Sequence, residues 1–290
     1  MDAAERRLDG EEPHVRYATV RIDGVPRAAI EEGERLRLLD AGDVGELLRR
    51  GAADVAEIGE IATADAEYLA PVTTPGKVIC LGLNYLAHLQ EIYGEAEVPP
   101  YPALFAKYAD TLTGPTADVP IPPEDVAATV DWEVELVVVV GREIHRASPD
   151  EARAAIAGYT VANDVSFRDW QNRTGQWLQG KAWDATTPLG PVVVTPDEAD
   201  GEAGLAIRCE VNGVEKQSAN TGDLFYGPSR ALAYISTFTT LRPGDLVLTG
   251  TPGGVGMPTG ERILLRDGDV VVSRIDGIGE LRNTIKAEAH

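Results

Sequence analysis

Apolar and polar residues alternate with period two along most of the chain, in short runs closed by glycine or proline, so strands are expected to outnumber helices. Residues 17–22 and 25–30 are two such runs joined by Asp23-Gly24, the signature of a tight strand pair. Residues 42–48 carry a helix start signal and apolar residues at helical spacing. The stretch 70–76, with Pro71, Pro75 and Gly76, reads as a boundary. Beyond it lie strand-like runs at 78–81, 136–140, 159–162, 191–195, 205–211, 246–249 and 270–272. Helices are fewer there: one is expected to open at Pro149 and another to span 229–238. The pattern predicts an α+β fold in which strands fold back on themselves as a roll or sandwich. A small N-terminal α+β domain is expected over residues 1–72 and a larger catalytic one over 73–290.

Composition narrows the function classes. No apolar stretch reaches the roughly 18 residues of a membrane span. Residues 1–17 are polar and lack the core of a secretory signal. Cys80 and Cys209 sit in apolar runs and suit buried thiols in a reducing cytoplasm. A formal net charge of -21, from 26 basic and 47 acidic residues, repels phosphate backbones and excludes a nucleic-acid partner. The basic residues comprise five lysines and 21 arginines. A GC-rich coding sequence and adaptation to high salt account for that bias equally well.

Three features could carry chemistry. Asp131, Glu133 and Glu135 lead into a valine run, and in a strand alternate residues share a face, so the three acids would project together. That is either the solvated face of an edge strand or a site for a hard cation. Asp164, after the run 159–162, adds another acid where turns are equally common. An all-oxygen set would favour Mg²⁺ or Mn²⁺. His88 and Glu91 stand at i and i+3 if their segment is helical, either a surface pair or a general base with its orienting carboxylate. The run 249–256, rich in glycine, could turn backbone N–H groups toward an anion or simply make a turn. Gly175 to Lys181 has the spacing of a phosphate loop, but Ala182 lacks the required hydroxyl and Trp177 is too bulky.

In order along the chain, these segments resemble the fumarylacetoacetate hydrolase family over residues 77–283. The resemblance rests on Gly82-Leu83-Asn84-Tyr85 with His88 and Glu91, on Asp131-Trp132-Glu133-Val134-Glu135, and on residues 158–164. It continues through Arg168-Asp169-Trp170-Gln171, Gly180-Lys181 with Asp184, residues 188–191, 211–213, 241–245, 249–256 and 277–283. It implies a homodimeric, strand-rich mixed β-roll holding Mg²⁺ or Mn²⁺ in a deep cleft. By resemblance, Glu133, Glu135 and Asp164 are the metal ligands and His88 and Glu91 a catalytic pair on a mobile lid. Lys181 matches the active-site lysine, and Arg168, Gln171 and Thr251 match substrate-side positions. Phe167 departs from the small residue common at its place.

The expected activity is therefore metal-dependent hydrolysis of a C–C bond in an acylpyruvate-type 2,4-dioxo acid such as fumarylpyruvate. His88, oriented by Glu91, would activate the water. An oxaloacetate-type decarboxylase or a hydroxymuconate-type isomerase at the same site is the alternative, and a non-catalytic oxo-acid-binding protein a further one.

Overall fold

The computed structural model describes residues 14–94, 97–257 and 265–288. The polar segment 1–13, part of the stretch read as lacking a secretory signal, lies outside the described residues. No described helix is long and apolar enough to cross a membrane.

The expected N-terminal pair forms as strands Arg16–Ile22 and Val25–Glu32, with Ile22 opposite Val25. Its turn needs two left-handed residues, and Asp23 (φ 49°) and Gly24 (φ 79°) supply them. The helix Val44–Arg50 is capped by Asp43, whose Oδ1 accepts the Glu46 N–H at 2.6 Å. Asp43 Oδ2 accepts the Thr73 N–H at 2.8 Å and its hydroxyl at 2.7 Å, which ties this helix to the boundary segment.

These elements extend one edge of a mixed 12-stranded sheet. Its path runs Glu57–Ala62, Arg35–Leu39, Val25–Glu32, Arg16–Ile22, Thr187–Val194, Ile156–Asn163, Val134–Val140, Leu246–Leu248, Val78–Gly82 and Ala103–Lys107. A five-stranded sheet, ordered Val214–Asn220, Ala206–Val211, Val270–Ile275, Gly279–Ala287 and Val119–Ile121, packs against it. The strand-rich, mixed-sheet α+β fold expected from the sequence is the fold observed.

Val134–Val140 lies at the centre, and all seven of its residues are buried. A strand buried on both faces reads as a continuous apolar run because neither face meets water. Val134, Leu136, Val138 and Val140 join the main core with Trp132 and Tyr159. Val137 and Val139 join a second core with Cys80, Leu189 and Leu246. The solvated-edge reading of the acidic segment is thereby excluded.

One detail differs from the sequence expectation. Residues 131–136 are not one continuous strand with three acids on one face. Val130–Asp131 pairs instead with Ser166–Phe167, and regular pairing resumes at Val134. Between them, the Glu133 N–H donates to Asn163 Oδ1 at 2.9 Å and the Val134 N–H to Gln217 Oε1 at 3.0 Å. Side chains satisfy the backbone where the ladder is interrupted, and Asp131 turns away from the other two acids.

Candidate active site

Three carboxylates from two neighbouring strands converge. Glu133 and Glu135 flank the start of Val134–Val140, and Asp164 follows Ile156–Asn163, the strand paired beside it. One ligand oxygen from each lies within 4.8 Å of the others, and all three residues are buried. Asp131, the fourth acid of the segment, stands apart from this cluster. It accepts Arg168 Nε at 2.9 Å and the N–H groups of Gly256 (2.7 Å) and Met257 (3.3 Å).

The neutralising groups are unevenly shared. Lys181 Nζ donates to Glu133 Oε2 and Asp164 Oδ2, both at 2.7 Å. Lys107 Nζ, fully buried, donates to Asp164 Oδ1 at 2.6 Å. Arg168 Nη1 lies 2.7 Å from Glu133 Oε1 and donates to Gln171 Oε1 at 2.9 Å. Glu135 forms no ion pair among the described residues and accepts only the Gly250 N–H at 2.7 Å.

Acidities follow this arrangement. Burial acts to raise the Glu133 carboxyl, but Lys181 and Arg168 bring it down to about 2. Burial, then the charges of Asp164 and Glu133, push Glu135 well above the usual carboxylate range. Burial would lower Lys181, yet Asp164 and Glu133 hold it at about 12. The four buried carboxylates of Asp131, Glu133, Glu135 and Asp164 thus face three buried cations, Lys107, Arg168 and Lys181. Glu135 is the carboxyl of the four left without an ion-pair partner among the described residues. An all-oxygen donor set with one uncompensated carboxylate fits a hard divalent cation.

His88 and Glu91, expected as a catalytic pair, both lie on the helix Leu86–Tyr93. His88 is buried, and its Nδ1 lies 3.6 Å from Glu91 Oε2, close but beyond hydrogen-bond length. Burial acts to raise Glu91, but His88, the Gly254 N–H at 3.0 Å and Arg168 hold it below its usual value. The glycine-rich run therefore does turn N–H groups toward anions, and those anions are the site's own acids: Glu135, Glu91 and Asp131. Gly254 (φ 95°) could carry no side chain, since a Cβ would stand 2.0 Å from the Lys216 carbonyl oxygen.

A cavity of about 140 Å³ opens beside Glu133 and His88. His88, Glu133, Arg168, Gln171, Lys181 and Thr251 all line it, whereas Glu91, Glu135 and Asp164 do not. Arg168 is held by Asp131 and Glu133, and Thr251 Oγ1 accepts Gln217 Nε2 at 2.7 Å. Two contributors escaped the sequence reading. Gln217, from the second sheet, braces both the Val134 backbone and Thr251. Lys107 ends a strand whose pattern marks nothing special, but lysine scarcity was a usable signal. Of five lysines in the chain, two are buried against Asp164.

Residues 77–286 match the model of the fumarylacetoacetate (FAA) hydrolase C-terminal domain. The mitochondrial oxaloacetate tautomerase Fahd2a of Rattus norvegicus is 41% identical over 251 residues, covering 86% of this chain and 79% of the relative. The mitochondrial oxaloacetate tautomerase FAHD2A of Bos taurus is 43% identical over 224 residues, covering 77% and 70%. Among solved structures, a 2-hydroxyhepta-2,4-diene-1,7-dioate isomerase from Mycobacterium marinum superposes with a TM-score of 0.79 at 33% identity, covering 95% of this chain and 100% of that one. The fumarylacetoacetate hydrolase of Exiguobacterium antarcticum gives 0.83 at 30% identity, covering 94% and 100%. The two curated relatives are named as oxaloacetate tautomerases and the Mycobacterium marinum structure as an isomerase. With its fold, its acidic cluster and a family match spanning most of its length, this chain is an enzyme of the fumarylacetoacetate hydrolase family.

Proposed function

We propose that this enzyme interconverts the keto and enol forms of a short 2-oxo diacid of the oxaloacetate type. Mg²⁺ or Mn²⁺ would be held by Glu133, Glu135 and Asp164. The observation that carries the reading is that His88 and Glu133 line one cavity of only about 140 Å³. A cavity of about 150 Å³ accommodates benzene, so this one suits a molecule of few atoms. It leaves little room for an acyl tail together with an attacking water. The names of the curated relatives support the same substrate class.

The bound cation would supply a Lewis acid for the carboxylate and oxo oxygens, lowering the energy of an enolate there. Tautomerisation then needs only one proton moved from the carbon beside the oxo group to its oxygen, with no bond between carbons broken. His88 takes that proton and returns it, and its Nε2 is the nitrogen left for substrate because Nδ1 is on the Glu91 side. Glu91, anchored by the Gly254 N–H, favours the imidazolium that forms. Lys107, Lys181 and Arg168 hold the Asp164 and Glu133 carboxylates in place. Leu83, Ile92 and Val255 provide apolar lining that limits water.

The test follows enol loss from oxaloacetate with Mn²⁺, beside pyruvate release from acetylpyruvate. Accelerated tautomerisation that a chelator abolishes is the expected result. Pyruvate release from acetylpyruvate outrunning tautomerisation would replace this reading with the hydrolytic one.

A further inference from the structure

Trp177 lies in the segment that imitates a phosphate loop, where its bulk argues against nucleotide binding. In the fold it is half-buried and lines the cavity. Its six-membered ring lies directly on Gly82, the last residue of the strand Val78–Gly82. A Cβ there would stand 2.3 Å from Trp177 Cζ3 and 2.8 Å from Cη2. Gly82 does not have positive φ, so glycine is needed there for the approach of the ring and not for the backbone. The other support is Phe105, which meets Trp177 edge to face at 5.7 Å between centroids. Phe105 in turn lies under Lys181, whose Nζ is 5.1 Å from its ring centre.

A continuous stack therefore runs from the carboxylate cluster through Lys181 and Phe105 to Trp177. Residues 172–176, just before Trp177, are all exposed, so the ring anchors this stretch to the cavity wall. Glu133, Arg168 and Lys181 form the charged part of that wall. Leu83, Ile92, Tyr93 and Met257 join Trp177 in the apolar part. The charged groups would orient the oxo-acid head, which leaves the apolar part to meet the tail.

We propose that Trp177, seated on Gly82, is a specificity-determining residue that closes the tail end of the cavity and restricts the enzyme to short-chain 2-oxo acids. The inference rests on the proposed function for the identity of the head group, and it adds the limit on length. Hydrophobic pockets discriminate by about 10–200-fold per methylene, so removing the ring should be visible when long 2-oxo acids are compared with a short chelating acid.

The experiment uses the full chain loaded with Mn²⁺ and calorimetric titration with oxalate, 2-oxoglutarate and 2-oxoadipate. Wild type should bind oxalate in preference to 2-oxoadipate. Trp177→Ala should raise affinity for 2-oxoadipate relative to oxalate by about tenfold or more, and Trp177→Phe should fall between. Gly82→Ala keeps the tryptophan but forces it off its seat, and should shift the same ratio the same way. It decides the matter if Trp177→Ala does not fold. An unchanged ratio in the folded variants, or a wild type that binds no probe, overturns the proposal. Oxaloacetate tautomerisation by the same samples separates the two readings. Trp177-dependent length selection without tautomerisation would sink only the assigned reaction, and tautomerisation with unaltered length selection would sink only the role of Trp177.

Discussion

Lys107 Nζ stands 2.6 Å from Asp164 Oδ1, and neither side chain has any exposed surface. Asp164 therefore has a lysine on each oxygen, Lys107 on one and Lys181 on the other. Removing one partner of a buried pair costs about 3–5 kcal/mol because the other charge remains uncompensated. Lys107→Met should lower the melting temperature of metal-free protein substantially. Added Mn²⁺ should recover a larger part of that loss than it adds to wild type, since the cation replaces the missing charge. Equal Mn²⁺ stabilisation of both proteins would argue against shared neutralisation of Asp164.

Glu135 provides a pH signature. Its carboxyl is raised in the folded state by burial and by Asp164 and Glu133. The folded protein thus binds this proton more tightly than the unfolded chain, whose carboxyl titrates near 4.5. The favourable contribution is complete below pH 4.5 and is lost as pH rises toward the folded value. Glu133, lowered to about 2, has the opposite sign: its contribution is present above 4.5 and lost as pH falls toward 2. Metal-free protein should therefore lose stability as pH rises above 4.5, and Glu135→Gln should flatten that decline. Denaturant melts across this window check it, and a wild-type profile that rises with pH would contradict it. Calorimetry on Glu135→Gln should also show Mn²⁺ binding crippled, because one of three carboxylate ligands is gone.

His88 and Glu91 separate proton transfer from metal binding. His88→Ala should lower kcat for oxaloacetate tautomerisation by about two to four orders of magnitude. Glu91→Gln should do nearly as much harm, since an amide does not stabilise an imidazolium. Mn²⁺ affinity should survive both changes, because the acidic cluster lies on other segments. Loss of Mn²⁺ binding in His88→Ala, seen by calorimetry, would place the histidine in the metal's coordination instead.

The net charge of -21 should make stability depend on salt. Self-repulsion destabilises the compact state, and screening acts over about 10 Å at 0.1 M and about 3 Å at 1 M ionic strength. The melting temperature should rise from low to molar salt. A flat or falling curve would mean that the surface pairs, such as Arg37 with Glu32 and Glu57, already balance the repulsion.

Much of this protein could be read from its sequence because the causes are local. Alternation sets which side chains face the core, so the strand runs could be predicted, and Asp23-Gly24 determined its turn through left-handed backbone preferences. The valine run marked a strand, but that both its faces are buried only the fold shows. Glu133, Glu135 and Asp164 were singled out by the family resemblance of the ordered motifs, and so were His88 and Glu91, whose spacing alone left a surface pair open. The tertiary structure decided what those groups touch. Asp131 and Glu133 share a motif and both bind Arg168, yet only Glu133 joins Glu135 and Asp164, because the strand breaks between the two acids. Lys107 reaches Asp164 across 57 residues, and Gly250 reaches Glu135 across 115. Trp177 found its seat because a glycine 95 positions earlier left the space. No local pattern encodes such pairings: a buried charge takes whichever donor the completed fold brings within reach, and a cavity takes its length from whatever ring packs at its end.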